Sequence, residues 1–123
     1  LAPIVQTMPI GPYSQAILTG HTLYISGVLG LDQQAQLVCG GRDAEAEARQ
    51  VLNNMKHVLE AGGSSLAAVV KTTILLRDMD DFQVVNQVYA EYFPRDSAVE
   101  IEAIAMSGDL VIPEAGPCPC SKV

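Results

Sequence analysis

The stretch DAEAEARQVLNNMKHVLEAGGSSLAAVVKTTILL, residues 43 to 76, sets a helix against a strand and so decides the fold class. Asp43 is placed to cap a helix whose first turn carries Glu45 and Glu47, where carboxylates meet the positive end of the helix dipole. Ala44, Ala48, Val51, Leu52, Met55, Val58 and Leu59 recur at three- and four-residue steps and form one apolar stripe. Gly62-Gly63 ends it. Residues 69 to 76, VVKTTILL, are too short and too β-branched for another helix and read as a strand with both faces largely covered.

Upstream, Tyr13 to Leu18 and Thr22 to Ser26 are β-prone, and Thr19-Gly20-His21 between them supplies a glycine for a tight turn, so a hairpin is expected. Leu23 and Ile25 fall on one face of its second strand and Thr22, Tyr24 and Ser26 on the other. Gly27 to Gly30 and then Asp32 mark a loop or bulge at the strand end. Downstream, a second helix begins near Asp80 with Phe82, Val85, Tyr89 and Tyr92 on its apolar face, and Pro94 forbids its continuation. After it, residues 90 to 106, AEYFPRDSAVEIEAIAM, hold a single strand-like segment. The order is ββ, α, β, α, β: an α+β domain with two helices packed on one face of a sheet.

Seven Lys and Arg against fourteen Asp and Glu leave a net charge of −7 on 123 residues. That balance repels polyphosphate backbones and anionic headgroups, and no Lys/Arg cluster offsets it, so neither nucleic acid nor membrane is expected as a partner. The longest apolar runs are about four to six residues, against roughly 20 for a bilayer span. Residues 1 to 13, LAPIVQTMPIGPY, carry Pro3, Pro9 and Pro12 and no positive region, unlike a secretory signal or an Arg-rich transit peptide. The chain starts at Leu1 rather than Met, which leaves a processed N-terminus and a mitochondrial location open.

Cys39, Cys118 and Cys120 are odd in number, and Cys118-Pro-Cys120 lacks the two-residue spacer of a redox or zinc pair, so no metal site is expected. Unpaired thiols fit a reducing compartment, hence a cytoplasmic location. One domain is expected over residues 1–112, and the Pro/Cys-rich tail 113–123 is expected to be disordered.

Several side chains could carry chemistry. Tyr13 follows Pro12 and Ser26-Gly27 sits at a strand end, where a phenol, a hydroxyl and open backbone donors could line a small polar pocket; a buried Tyr and a turn Ser are the plainer reading. Glu100 and Glu102 lie two apart and leave a strand by one face, either as a solvated face or as carboxylates that orient a water or move a proton. His21 and His57 lack partners at a telling spacing. Lys71 and Arg77 read as solvent charges, and Asp78, Asp80 and Asp81 as a helix start rather than a cation site.

Taken together, IGPYSQAIL (10 to 18), LYISGVLGLD (23 to 32), residues 48 to 82, VNQVYAEYF (85 to 93) and VEIEAIA (99 to 105) strongly resemble the RidA family, also called YjgF/YER057c/UK114. The resemblance implies a chorismate-mutase-like subunit with an antiparallel or mixed sheet, assembled as a homotrimer with ligand sites in the clefts between subunits. It implies an imine deaminase that guards against metabolite damage. Such a hydrolase converts 2-imino acids or their enamine tautomers, left by pyridoxal-phosphate dehydratases, to 2-oxo acids and ammonia without a cofactor.

That substrate needs a clamp for its carboxylate, and the planar guanidinium of an Arg can supply two parallel hydrogen bonds. By the resemblance, Tyr13, Ser26 and Gly27 match the pocket wall and Glu100 the water or proton step. The family's arginine motif normally precedes the VEIEAIA strand by about a dozen residues of strand and turn, whereas FPRDSAVEIEAIA runs the two together, as if one strand were missing. Either Arg95 belongs to a shortened arginine motif or the motif is absent. Four residues from Phe93 to Ser97 span only about 14 Å, so the surviving strand more easily takes the first position beyond the helix. That position keeps Arg95 near the site and displaces Glu100. The alternative to an enzyme is a catalytically impaired trimeric binding or regulatory protein; a ribonuclease or translation inhibitor has less support from the acidic charge.

Overall fold

Asp43 caps the central helix: its Oδ1 accepts a hydrogen bond from the Ala46 N–H at 3.0 Å, satisfying one donor that a helix start leaves unpaired. Helix α1 then runs over Ala44–Ala61. At its other end, the Gly62 N–H bonds back to Val58 and Leu59, and Gly63 turns the chain with φ +77°. The computed structural model describes residues 13–93 and, as backbone, 2–4 and 100–105.

The expected hairpin is present as β2 (Ala16–Thr19) and β3 (Thr22–Ile25), with Thr19 opposite Thr22 and Gly20-His21 as the turn. Gly20 has φ +57°, which glycine adopts at little cost. A third strand, β1 (Ala2–Ile4), pairs antiparallel with β2. The prolines of the first residues concealed it; Pro3 lacks a backbone donor, and β1 lies at the edge of the order β1-β2-β3, where such a residue is tolerated. The second sheet comprises β4 (Lys71–Leu76) and β5 (Glu100–Ala105), paired in parallel from Lys71 opposite Glu100 to Leu76 opposite Ala105. Helix α2 (Phe82–Tyr92), entered through a 3₁₀ turn at Met79–Asp81, lies between them in sequence, so β4, α2 and β5 form a crossover unit, the ordinary way to join parallel strands.

The core sits where α1 and α2 meet β4: Ala48 and Leu52 from α1, Ile74 from β4, and Val85, Val88, Tyr89 and Phe93 from α2 and its end. Two expectations change here. Val88 and Phe93 belong to the buried face of α2, whereas Phe82 is partly exposed, because the helix starts one turn later than its 3₁₀ entry. Strand β4 is covered on one face only: Lys71, Thr73 and Leu75 alternate outward, and Leu75 is 74% exposed. The two helices cover the other face, and nothing in the described chain covers this one.

Cys39 also departs from expectation: it is buried and disulfide-bonded, so the argument from unpaired thiols to a compartment falls. Cys118 and Cys120 lie outside the described residues, as do the tail and its expected disorder. No helix among the described residues is long and apolar enough to cross a membrane.

Between α1 and α2, the Arg49 guanidinium grips the Glu91 carboxylate through two hydrogen bonds of 2.6 and 2.9 Å, and the Tyr92 hydroxyl donates to Asn53 Oδ1 at 3.0 Å. These groups are exposed, so they set the helix pair's register more than its stability. On the inner face of β4, Thr72 Oγ1 is buried with no hydrogen-bond partner among the described residues. An unsatisfied buried hydroxyl costs about 1–3 kcal/mol, so the isosteric Thr72→Val is expected to raise the melting temperature in a thermal scan by several degrees, about 1 kcal/mol of stability.

Candidate functional site

Ser26 follows β3 directly and is tied to the segment before β2. Its hydroxyl donates to the Ser14 carbonyl at 2.7 Å and its N–H to the Gln15 carbonyl at 2.9 Å. With both donors engaged, Ser26 offers a ligand oxygen lone pairs rather than a proton. The same bonds hold the end of β3 against the 13–15 segment, so Tyr13, 49% exposed, and Gly27, also exposed, stand at one rim of the hairpin sheet. The Gly27 N–H has no hydrogen-bond partner among the described residues, and no heavy atom lies within 4 Å of where a Cβ would be.

The loop beyond is held by α1. Asn54 Nδ2 donates to the Leu29 and Leu31 carbonyls, each at 3.0 Å, and Val38 N–H donates to the Gly30 carbonyl at 2.9 Å. Gly30 is buried so closely on α1 that a Cβ there would lie 2.7 Å from Glu47 Cγ and 2.9 Å from the Glu47 carbonyl oxygen. Asp32 closes the next turn, its Oδ1 accepting from the N–H groups of Gln34 and Gln36 at 2.9 and 3.0 Å. A left-handed run at Cys39, Gly40 and Gly41 leads to α1, and Arg77 Nη2 donates to the Gly41 carbonyl at 3.2 Å. Arg77, expected as a solvent charge, thus braces this loop from the end of β4.

The sequence-derived site residues divide. Tyr13, Ser26 and Gly27 share the rim of the three-stranded sheet, whereas Glu100 is the first residue of β5 in the other sheet, opposite Lys71. Arg95 lies outside the described residues. His21 and His57 are exposed. Asp78 accepts from the Asp80 N–H at 2.9 Å, as a helix start requires, and no group of three or more potential metal ligands occurs among the described residues. Sequence reasoning missed Gln50 and Asn54. Their i, i+4 amide spacing was the available signal, and it is a weak one because such pairs usually face solvent.

Partial burial raises the pKa of the Glu47 carboxyl; Arg77 pulls it down and Asp81 adds to the rise. A carboxyl whose folded pKa exceeds its unfolded value favours folding below the unfolded value and loses that contribution as pH rises through the folded value. Glu47→Gln is therefore expected to raise the melting temperature at pH 7. The gain should disappear as thermal scans are taken below the ordinary value of 4.5.

Residues 4–107 match the family described as Endoribonuclease L-PSP. The human 2-iminobutanoate/2-iminopropanoate deaminase is 45% identical, with 82% of this chain and 84% of the human protein covered. Among solved structures, RidA from the Antarctic bacterium Psychrobacter sp. superposes with a TM-score of 0.76 at 35% identity, covering 85% of each chain. Escherichia coli TdcF with bound serine gives a TM-score of 0.76 at 26% identity and covers 86% of each. The alignment to the human protein runs over 117 positions, more than 82% of a 123-residue chain supplies, so the human protein carries residues with no counterpart here. Hairpin rim, central helix and parallel pair all belong to one lineage: this chain is a member of the RidA/YjgF/L-PSP family.

Proposed function

We propose that the chain hydrolyses small 2-imino acids, such as 2-iminobutanoate and 2-iminopropanoate, to 2-oxo acids and ammonia without a cofactor, from sites between the subunits of a homotrimer. The identity to the human deaminase carries this reading. In the proposed reaction Arg95 clamps the substrate carboxylate, while Tyr13, the Ser26 oxygen and the Gly27 N–H line the pocket. Water adds to the imine carbon, its oxygen forming the new bond as the C=N π pair goes to nitrogen, which takes up a proton. The carbinolamine then loses ammonia as its hydroxyl proton leaves, giving the 2-oxo acid. Glu100 passes the proton of the attacking water to that nitrogen, then takes the hydroxyl proton of the carbinolamine and hands it to the departing ammonia.

Two features of the chain support a site completed by a neighbour. Tyr13 and Ser26 stand on one sheet and Glu100 on the other. The outward face of β4 carries Leu75 at 74% exposure, and Tyr24 on β3 is 63% exposed, which suits burial between copies. Leu75→Lys is expected to turn a trimer into monomers in light scattering and to remove activity with it; a trimer of unchanged mass would place the interface elsewhere.

A coupled assay tests the function: threonine dehydratase generates the imine, and 2-oxobutanoate release is followed with and without this chain. No acceleration would favour the second reading, a trimeric ligand-binding or regulatory protein impaired in catalysis. That reading is supported by the residues of the human protein that lack a counterpart, taken here as one strand missing between Pro94 and Val99, and by the parallel seat of β5, which separates Glu100 from Ser26. A ribonuclease activity, suggested by the family's description, is less supported by the net charge of −7.

A further inference from the structure

We propose that Gln50 and Asn54 form an amide relay that sets the orientation of the Gly27 peptide, making Asn54 a positioning residue of the pocket; this deepens, and for its kinetic test rests on, the proposed imine hydrolysis. Gln50 Nε2 donates to Asn54 Oδ1 at 2.8 Å, and Asn54 Nδ2 donates both its hydrogens, to Leu29 O and Leu31 O at 3.0 Å. The two loop carbonyls can face only the NH₂ end of Asn54, and the Gln50 donor meets the remaining oxygen, so the network admits one orientation. Together with Val38 on Gly30 O, three consecutive carbonyls are engaged.

The opposite end of the segment is fixed as well, since Ser26 is held to Ser14 and Gln15. Only Gly27 and Val28 lie between the two anchors, and glycine has no side chain to settle its own peptide plane. The direction of the Gly27 N–H, which has no partner among the described residues, is therefore dictated from α1, at the rim where a carboxylate or imine would dock. A donor held in place before the ligand arrives does not lose orientational freedom on binding, and this is how a remote amide changes affinity.

Gln50→Glu tests the relay without touching Asn54: a carboxylate has no hydrogen for Asn54 Oδ1 and draws the Asn54 NH₂ away from the loop. Gln50→Lys keeps a donor there and should rescue it. The expected result for Gln50→Glu and for Asn54→Leu is a KM, and a calorimetric Kd for 2-oxobutanoate, raised about tenfold, as loss of roughly one net hydrogen bond implies. kcat should fall by less than about threefold, since the interaction serves binding. Asn53→Ala, which breaks only the exposed Tyr92 bond, should leave KM alone.

The amide chemical shift of Gly27 gives a reading independent of turnover. It should move in Gln50→Glu and return in Gln50→Lys, even if the wild-type chain proves inactive and the enzyme reading fails. A Gly27 amide that stays in place, or an unchanged KM beside a lowered melting temperature, overturns the proposal and leaves the pair as a helix-loop brace.

Discussion

Arg95→Ala is expected to lower kcat/KM for 2-iminobutanoate about a hundredfold to a thousandfold in the coupled assay. The substrate's carboxylate must leave water to enter any pocket, and a planar guanidinium replaces that hydration with two charge-assisted hydrogen bonds. Each is worth about 1.5–3 kcal/mol, and roughly 1.4 kcal/mol is a factor of ten. Arg95→Lys should recover only part of the loss, because an ammonium meets the carboxylate as a point charge and not through a fork. Equal rates for wild type and Arg95→Ala would remove Arg95 from the mechanism. They would also return the arginine motif to the status of an absent one, since no other arginine stands near the VEIEAIA strand in sequence.

The other large effect is on stability. Leu52→Ala should cost about 2–5 kcal/mol, the usual penalty for a fully buried leucine that loses its packing and leaves a cavity. Leu52 has 0% exposure and lies in the cluster where both helices meet β4, so neighbours on three elements would have to move to fill the space. Urea unfolding followed by circular dichroism should show a lower midpoint at an unchanged slope. Leu52→Met, of similar volume, should cost under about 1.5 kcal/mol. A Leu52→Ala midpoint equal to wild type would mean that this cluster does not hold the folded state together.

Much of the fold was legible because it is governed by local rules. The Asp43 cap, the stripe through Ala48 and Leu52, the Gly62 stop and the Gly20 turn each follow from a few adjacent residues and the geometry of a single element. What could not be read depended on residues far apart. Leu75 looked like a core residue, yet it is exposed because only one face of β4 receives helices. The strand at Ala2–Ile4 was hidden by its prolines, whose tolerance depends on an edge position that only pairing defines. The hold of Asn54 on the loop was not legible because its acceptors are main-chain carbonyls 23 and 25 residues away, and carbonyls carry no sequence signature.

The sequence by itself determined the α+β class and the family, since these rest on periodicity, capping and motif identity along one line of chain. Tertiary structure alone decided that Ser26 spends both its donors on the preceding segment, that the Gly27 N–H has no partner among the described residues, and that Glu100 starts a strand parallel to β4 in the other sheet. Hydrogen-bond partners and strand order are settled by where separate segments meet, which is a property of packing and not of any one segment's preference.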